Sequence, residues 1–342
     1  MSKGVKNQHY VPRLYLRGFA KQKGKDYKIC VYDKENGAIR DNQSIENVAA
    51  ERYFYNFEYD KILDLEKIKS LKDGDEAYED LKDFDINRID KQFMEKHFSD
   101  VIEPKLKKML DTIKSTHMLI NKSNILKANS ISNENKVEYS ALIAIQFMRT
   151  KEFKQVIEQL PSIKLHMIKK IEKIHGDNNI DIDPEAVRYT KEHAKFEHIR
   201  YLMDSDILFE FSNTLFKHIW YIGINNTNIN LYTSDSPVVV IPNYNGHMGG
   251  RGLGSIGAEV VFPISPELIL VMKERSFHEK SLKYENGYKI LNEIEVLKYN
   301  EAQIYGAYRN VFSIDDDFDI AKILRKLDPQ MANINRKRIK VM

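Results

Sequence analysis

The apolar positions change their spacing twice along the chain, and the changes divide it into three parts. Up to about residue 60 the pattern is mixed. Pro12 opens a short helix carrying Leu14, Leu16 and Phe19, with Gly18 near its end. With Pro12 as the first helical residue the N-cap is Val11, which has no side-chain acceptor, so the first-turn N–H groups are expected to seek a partner elsewhere, an anion among the choices. Tyr27–Lys34 and Ala38–Asn42 alternate as two strands around Glu35-Asn36-Gly37, whose Asn-Gly step predicts a hairpin. Tyr53-Phe54-Tyr55 reads as a short aromatic strand or turn.

From about Leu63 to His218 the spacing is helical. Ile89, Phe93, Phe98, Ile102, Leu106, Leu110 and Ile113 recur three to five residues apart, and Pro104 marks a kink or a helix start. Ser123–Asn135 is polar and loop-like, and Val137–Leu160 reads as one helix that Pro161 ends or kinks. Asp183-Pro184-Glu185 has the chemistry of a helix start, with Asp as cap, Pro in the first position and an acid in the first turn. After His218 the period becomes two. Trp220–Ile224 and Asn228–Tyr232 predict a hairpin around Asn225–Thr227, followed by strands at Val238–Ile241, Glu259–Phe262 and Leu268–Met272. A helix from Asn292 to Tyr308, a strand at Asn310–Ser313 and a helix near Ile320–Leu327 complete the pattern. Helices in one run and strands in another predict an α+β fold, a helical N-terminal and middle region packed on a mainly antiparallel C-terminal sheet. The expected segments are 1–60, 61–218 and 219–342, forming one compact unit or two tightly packed lobes.

Composition narrows the function classes without choosing one. With 53 Lys and Arg against 50 Asp and Glu, the net charge of +3 excludes a strong global field for nucleic acid but leaves a local basic patch open. The single cysteine, Cys30, rules out a disulfide framework and reads as a packed strand thiol in a reducing compartment. Met1–Gln8 is polar, and no apolar run reaches the roughly 18 residues of a membrane span, so a cytoplasmic, non-membrane protein is expected.

Some motifs lose to plainer accounts. Gly249–Gly257 contains a formal G-x-G-x-x-G, but strand-like Ala258–Phe262 follows where a dinucleotide site needs a helix, so a connector is expected. Arg251 and the backbone N–H groups of that loop remain a candidate anion site. His193 and His198 are five residues apart, roughly 140° around a helix, and do not share an ion easily. The run Asp177, Asn179, Asp181, Asp183 has Ile182 and Arg188 where a calcium loop has Gly and Glu. No metal site is expected, and no cofactor is identified. The charges of Arg336, Lys337, Arg338 and Lys340 near the C-terminus read as solvated.

Three segments resist a plain account. Tyr139–Met148 is apolar nearly all round, yet Gln146 and Arg149 sit on one face of it. A buried guanidinium keeps its charge and needs a carboxylate, a phosphate or several carbonyls; Asp235 or Glu51 is the expected acid. A structural ion pair and a ligand role both stay open. Thr233-Ser234-Asp235-Ser236-Pro237 is good turn chemistry, but it also sets an acid and two hydroxyls at strand ends. In Asn7-Gln8-His9-Tyr10-Val11-Pro12, the positive end of the following helix favours a neutral His9 that can act as a base, although a lone histidine near a helix start is more often structural.

Taken in order, these segments resemble the bacterial family known as domain of unknown function 4238. Gln8–Phe19 is similar to its H-Y-V-P-x-x-Y-L-x-x-F opening, Glu51–Tyr55 to E-x-x-F-Y, Gln146–Thr150 to Q-x-x-R-T, Ser234–Pro237 to S-D-x-P, and Phe262–Ser265 to F-P-x-S; Trp220 also fits. The likeness spans nearly the whole chain, with the middle third matching as generic helix. It supplies no activity. It implies that His9, Tyr10, Glu51, Gln146, Arg149, Ser234 and Asp235 belong to one constellation, in an accessory bacterial gene with a toxin or phage-defence role as the expectation. A base in His9, a fixed cation in Arg149, an orienting amide in Gln146 and acids in Asp235 and Glu51 suit an anionic substrate, with Tyr10, Ser234 and Arg251 as ligand contacts. The expectation is a hydrolase of phosphodiesters or nucleotides, nuclease-like. The alternative is a non-catalytic binding module for nucleic acid or a small anionic ligand, with some of the 19 Tyr and 16 Phe as stacking surfaces. A third account makes the motifs a structural network between the lobes.

Overall fold

The computed structural model describes residues 5–56, 90–119, 128–161, 163, 191–244 and 252–338. Its strands are β1 (Asn7–His9), β2 (Lys21–Lys23), β3 (Asp26–Asp33), β4 (Ile39–Ser44), β5 (Ala50–Arg52), β6 (Ile219–Asn225), β7 (Thr233–Ser234), β8 (Val239–Pro242), β9 (Ala258–Ser265), β10 (Leu268–Lys273), β11 (Tyr288–Leu291) and β12 (Asn310–Ser313). The helices that matter here are α1 (Arg13–Leu16), α2 (Phe93–His97), α3 (Glu103–Met118), α4 (Asn133–Met148), α5 (residues 151–161), α6 (Lys191–Met203), α7 (Ser205–Phe216), α8 (Glu293–Gly306) and α9 (Asp319–Leu327). The fold is α+β.

The continuous apolar run of β6 is buried along its whole length because it lies inside a sheet ordered β11-β6-β10-β9-β8. Its neighbours are antiparallel β10 and parallel β11. The hairpin expected from Asn228–Tyr232 does not form, since side chains take the backbone groups a ladder would use. The Asn225 amide donates to the carbonyls of Ile229 (2.7 Å) and Pro266 (3.0 Å), and Tyr232 N–H donates to Asn300 of α8 (2.7 Å).

A second sheet, β2-β3-β12-β7 with β4 on β3, joins the two ends of the chain: Val31 lies opposite Phe312, and Val311 opposite Ser234. The Asn36-Gly37 hairpin forms as its sequence predicts, with Gly37 at φ 78°, but it pairs with a C-terminal strand rather than standing beside the helices. Cys30 of β3 is buried and donates to Asp41 at 3.0 Å; burial and that hydrogen bond push its thiol up to about 12, which makes it a poor nucleophile. β1 and β5 form a separate two-stranded ribbon, with Gln8 opposite Glu51.

Among the helices, α4 is buried nearly all round and packs on α7. The single helix expected over Val137–Leu160 breaks at Arg149–Thr150. Arg149 closes α4, and the Thr150 hydroxyl accepts the Phe153 N–H (3.3 Å) as the cap of α5. Pro104 sits in the first turn of α3. Residues 63–89, the Asp177–Asp183 run, the Asp183 helix start and Arg251 lie outside the described residues. No helix among the described residues is long and apolar enough to cross a membrane.

The glycine-rich stretch returns the chain from β8 into β9, so no helix N-terminus follows it. Gly257 has φ 75°, and a Cβ there would come within 2.9 Å of the Tyr244 Cβ. Gly257→Ala is therefore expected to cost about 1–3 kcal/mol, seen as a lowered Tm, whereas Gly252→Ala should leave Tm nearly unchanged.

Of the tail residues expected to be solvated, Lys337 is exposed and Lys340 lies outside the described residues, but Arg336 and Arg338 are not solvated. Arg336 and Arg338 both grip Glu152 of α5 at 2.8 Å, and Arg336 donates to the Ala307 carbonyl at the end of α8 (2.9 Å). A carboxylate and a set of unpaired helix-end carbonyls are better partners for two guanidiniums than their sequence position suggests.

Candidate functional site

The β1–β5 ribbon sets the N-terminal motif in place. Ala49 O accepts the N–H groups of Tyr10 (3.1 Å) and Val11 (3.4 Å), and the buried Gln8 side chain binds the Tyr55 N–H (2.7 Å) and the Asn56 side chain (2.8 Å). The Tyr15 hydroxyl reaches both Pro263 O (2.7 Å) and the Thr233 hydroxyl (2.6 Å), tying α1 to β9 and β7. α1 starts at Arg13 rather than Pro12 and has four residues, too little aligned backbone to hold an anion at its start.

The polar end of α4 meets this motif from below. The Gln146 amide donates to Tyr10 O (3.3 Å), and Arg149 Nη2 donates to His9 O (2.7 Å) and to Glu103 Oε1 (3.2 Å). The guanidinium is 1% exposed and stacks 4.2 Å from the Phe98 ring. The acid that neutralises Arg149 is thus Glu103 of α3, not Asp235 or Glu51. Glu103 is placed for this because the Pro104 turn brings the start of α3 against the end of α4.

A second acid completes the cluster. Burial pushes Glu95 of α2 up to about 7, helped by the charge of Glu103 and opposed by Arg149 and Arg13. Its Oε2 is buried without a hydrogen-bond partner among the described residues, as are Arg149 Nε and Nη1 and Gln146 Oε1. Such orphaned atoms are uncommon in a folded interior, and here four of them belong to three neighbouring side chains. His9 stands nearby, Nε2 at 3.3 Å from Ile45 O. Burial lowers its pKa, with the charges of Arg13 and Arg149 acting the same way and the Ile45 carbonyl and Glu46 opposing, so the imidazole is neutral at pH 7. His9 and Glu95 therefore share the fields of the same two guanidiniums. The half-exposed Arg13–Glu46 ion pair lies on the solvent side of this cluster.

The remaining motif residues form another network. Asp235 is fully buried, and its carboxylate accepts the N–H groups of Tyr308 (2.8 Å), Arg309 (2.9 Å) and Asn310 (2.7 Å), which closes the turn between α8 and β12. Burial raises its pKa against the pull of those N–H groups and of Lys34, and it stays ionised at neutral pH. Lys34, also buried, has its pKa lowered by burial and by Arg336, and donates to Ala307 O at 2.9 Å. The Ser234 hydroxyl donates to Gln303 Oε1 (2.8 Å), whose amide holds Pro237 O (2.9 Å). Glu51 pairs with Lys151 at 2.7 Å. Tyr10 sits at the junction: its carbonyl belongs to the first cluster, while burial and the charges of Asp235 and Glu51 raise its hydroxyl pKa.

The structure therefore gathers His9, Gln146 and Arg149, places Tyr10 between, and puts Glu51, Ser234 and Asp235 on the far side. Glu95, Glu103, Lys34 and Lys151 were not picked out from the sequence. A buried Arg149 signals that an acid must be near, but with 50 acidic residues in the chain nothing local selects Glu103 or Glu95. His198 is structural, fully buried and bonded to Met148 O at 2.7 Å, with burial bringing its pKa down to about 3. No group of three His, Cys, Asp or Glu side chains among the described residues is arranged to hold a metal ion.

Chemically, the first cluster offers a carboxyl raised by burial into the neutral range, an imidazole lowered by burial and a fixed cation. The family described as "Protein of unknown function (DUF4238)" matches residues 7–317. No curated protein and no solved structure matches the chain.

Proposed function

Starting from a chain that belongs to the DUF4238 family, we propose a hydrolase of phosphodiesters or nucleotides, with Glu95 as the general acid and His9 as the general base. The observation that carries this reading is Glu95 itself. It is a carboxyl held near pKa 7, with an unpartnered oxygen, beside a buried arginine that has two unpartnered donors. His9 would take a proton from water as the water oxygen attacks phosphorus, and Arg149 and Arg13 would stabilise the charge gathering on the non-bridging oxygens. The Glu95 proton would pass to the leaving oxygen, and solvent exchange would then return the His9 proton to Glu95. Glu103 holds Arg149 in place. Each proton transfer of this kind is worth about 10²–10⁴ in rate.

A binding module for nucleic acid or a small anionic ligand is the second reading, favoured by the depth of Arg149, whose 1% exposure suits recognition as well as turnover. A turnover screen against a chromogenic phosphodiester, RNA, DNA and nucleotides separates the two. The hydrolase reading expects at least one to be cleaved, and His9→Ala to slow it at least about a hundredfold with little change in Tm. Tight binding without cleavage would select the binding module, and neither would leave a structural network. Cleavage of cellular nucleic acid would also make expression toxic, which carries the toxin or phage-defence expectation forward.

A further inference from the structure

The helix that carries Glu95 and Glu103 runs from Phe93 to Met118, but its turn at Phe98–Ile102 is π-helical. There the Glu103 N–H donates to Phe98 O, five residues back instead of four. A turn of this kind takes up one extra residue, is rare, and is frequent at functional sites. Pro104 explains its place. It has no N–H to bond backwards, and a proline ring clashes with the carbonyl four residues before it, so the ladder opens there.

The extra residue decides where the two acids point. Glu95 and Glu103 are eight positions apart, which in an unbroken α-helix leaves them about 80° from facing the same way. With one residue absorbed they stand as if seven apart, about 20° off. Both carboxylates share the field of Arg149, and the Tyr55 hydroxyl, which donates to Arg149 O at 2.6 Å, lies in the field of both. The buried stripe is corrected in the same way. Met94, Phe98, Ile102 and Leu106 are spaced four apart throughout; α geometry would spread them over about 120°, and the wide turn brings that to about 20°. Phe98 therefore stacks on Arg149 (4.2 Å) and meets the Tyr55 ring edge-on (5.0 Å) while Met94 and Ile102 stay in the core. Ser99, Asp100 and Val101, the middle of the wide turn, are exposed.

We infer that the π turn at Phe98–Ile102 is the positioning element of this site: its one extra residue turns Glu95 and Glu103 onto the same guanidinium, with Phe98 as the positioning residue stacked on it. The assignment rests on the reading of Glu95 as the general acid, and adds what holds that acid in place.

Deleting one residue from a helix ordinarily turns everything before it by about 100°. Deletion of Val101 should instead close the wide turn to an α-turn, give the apolar positions the four-three-four spacing of a regular helix, and leave Glu95 where it is. An alanine inserted between Asp100 and Val101 adds a residue that nothing absorbs, and should turn α2 away by about 100°. The measurements are Tm and the midpoint of the Glu95 carboxyl, followed by 13C NMR. The deletion is expected to hold or raise Tm and to keep the midpoint near 7. The insertion is expected to lower Tm by roughly 5 °C, as Met94 and Phe98 leave the core, and to return the midpoint towards 4.5. A deletion that lowers Tm as far as the insertion does, or one that folds with its midpoint at 4.5 while the wild type keeps 7, would overturn the assignment. Neither measurement needs turnover. The expected Tm pattern in a protein that cleaves no diester removes the hydrolase and leaves the register; turnover in the wild type with Tm falling equally in both variants does the reverse.

Discussion

Asp235→Asn is expected to cost about 3–5 kcal/mol and to lower Tm by roughly 5 °C. The carboxylate accepts three backbone N–H groups from fully buried surroundings. An asparagine offers one oxygen and turns an NH2 donor towards the N–H groups that remain, so at least one buried donor is left unpaired. The same change removes the negative charge that favours the protonated form of buried Lys34. The loss should propagate, because the capped turn delivers β12, and β12 joins β3 to β7. Thermal and denaturant unfolding read the effect directly. An Asp235→Asn variant as stable as the wild type but inactive would return Asp235 to the chemistry.

Glu95→Gln should do the opposite, removing turnover while adding stability at alkaline pH. The activity loss is expected to be about 10²–10⁴ at pH 7, the range for a lost general acid. The stability change follows from linkage. Between the ordinary 4.5 and the folded value of about 7, the unfolded chain has released a proton that the folded chain keeps. The folded state then binds more protons, so stability falls as pH rises through that window. The cost is absent below 4.5 and complete above 7. Fully expressed it would be about 3 kcal/mol, and with Glu95 partly solvated about 1–2 kcal/mol is expected. The glutamine variant should match wild type in Tm near pH 4.5 and exceed it at pH 8. A variant that loses activity and gains stability marks a group kept for function. A pH-independent difference in Tm would mean that Glu95 titrates as an ordinary surface acid.

Much of the fold is legible in the residues because its elements are locally determined. Trp220–Ile224 reads as a strand and becomes β6, Asn36-Gly37 reads as a hairpin and forms one, and the helix expected from Asn292 starts there as α8. Where local and tertiary preference part company, the pattern misleads. Nothing in Arg149–Thr150 is a helix breaker, yet the chain breaks there because Arg149 turns to Glu103 and His9 while Thr150 caps the next helix. Asn228–Tyr232 alternates like a strand, but Asn225 and Asn300 claim its backbone. The tail arginines read as solvated because Glu152, their partner, is more than 180 residues away in sequence.

The site divides the same way. That Arg149 is buried and must be paired follows from the apolar helix around it. Which acid pairs it is a fact of packing, and the sequence points wrongly to Asp235 or Glu51. Glu95 and Glu103 sit in segments where the apolar positions carry the signal, and an acid among them looks like any solvated one. The motifs themselves suggest one constellation; the structure sorts them by element. His9, Gln146 and Arg149 meet at the end of α4, while Ser234 and Asp235 hold β7 and β12 in the second sheet.

The claim on which the functional reading stands is that burial beside Arg149 raises the Glu95 carboxyl so that it exchanges its proton near neutral pH. It is tested most directly by following the Glu95 side-chain carboxyl by 13C NMR across pH, assigned by difference between glutamate-labelled wild type and Glu95→Gln. The account predicts a midpoint near 7. A midpoint at the ordinary glutamate value of 4.5 would contradict it.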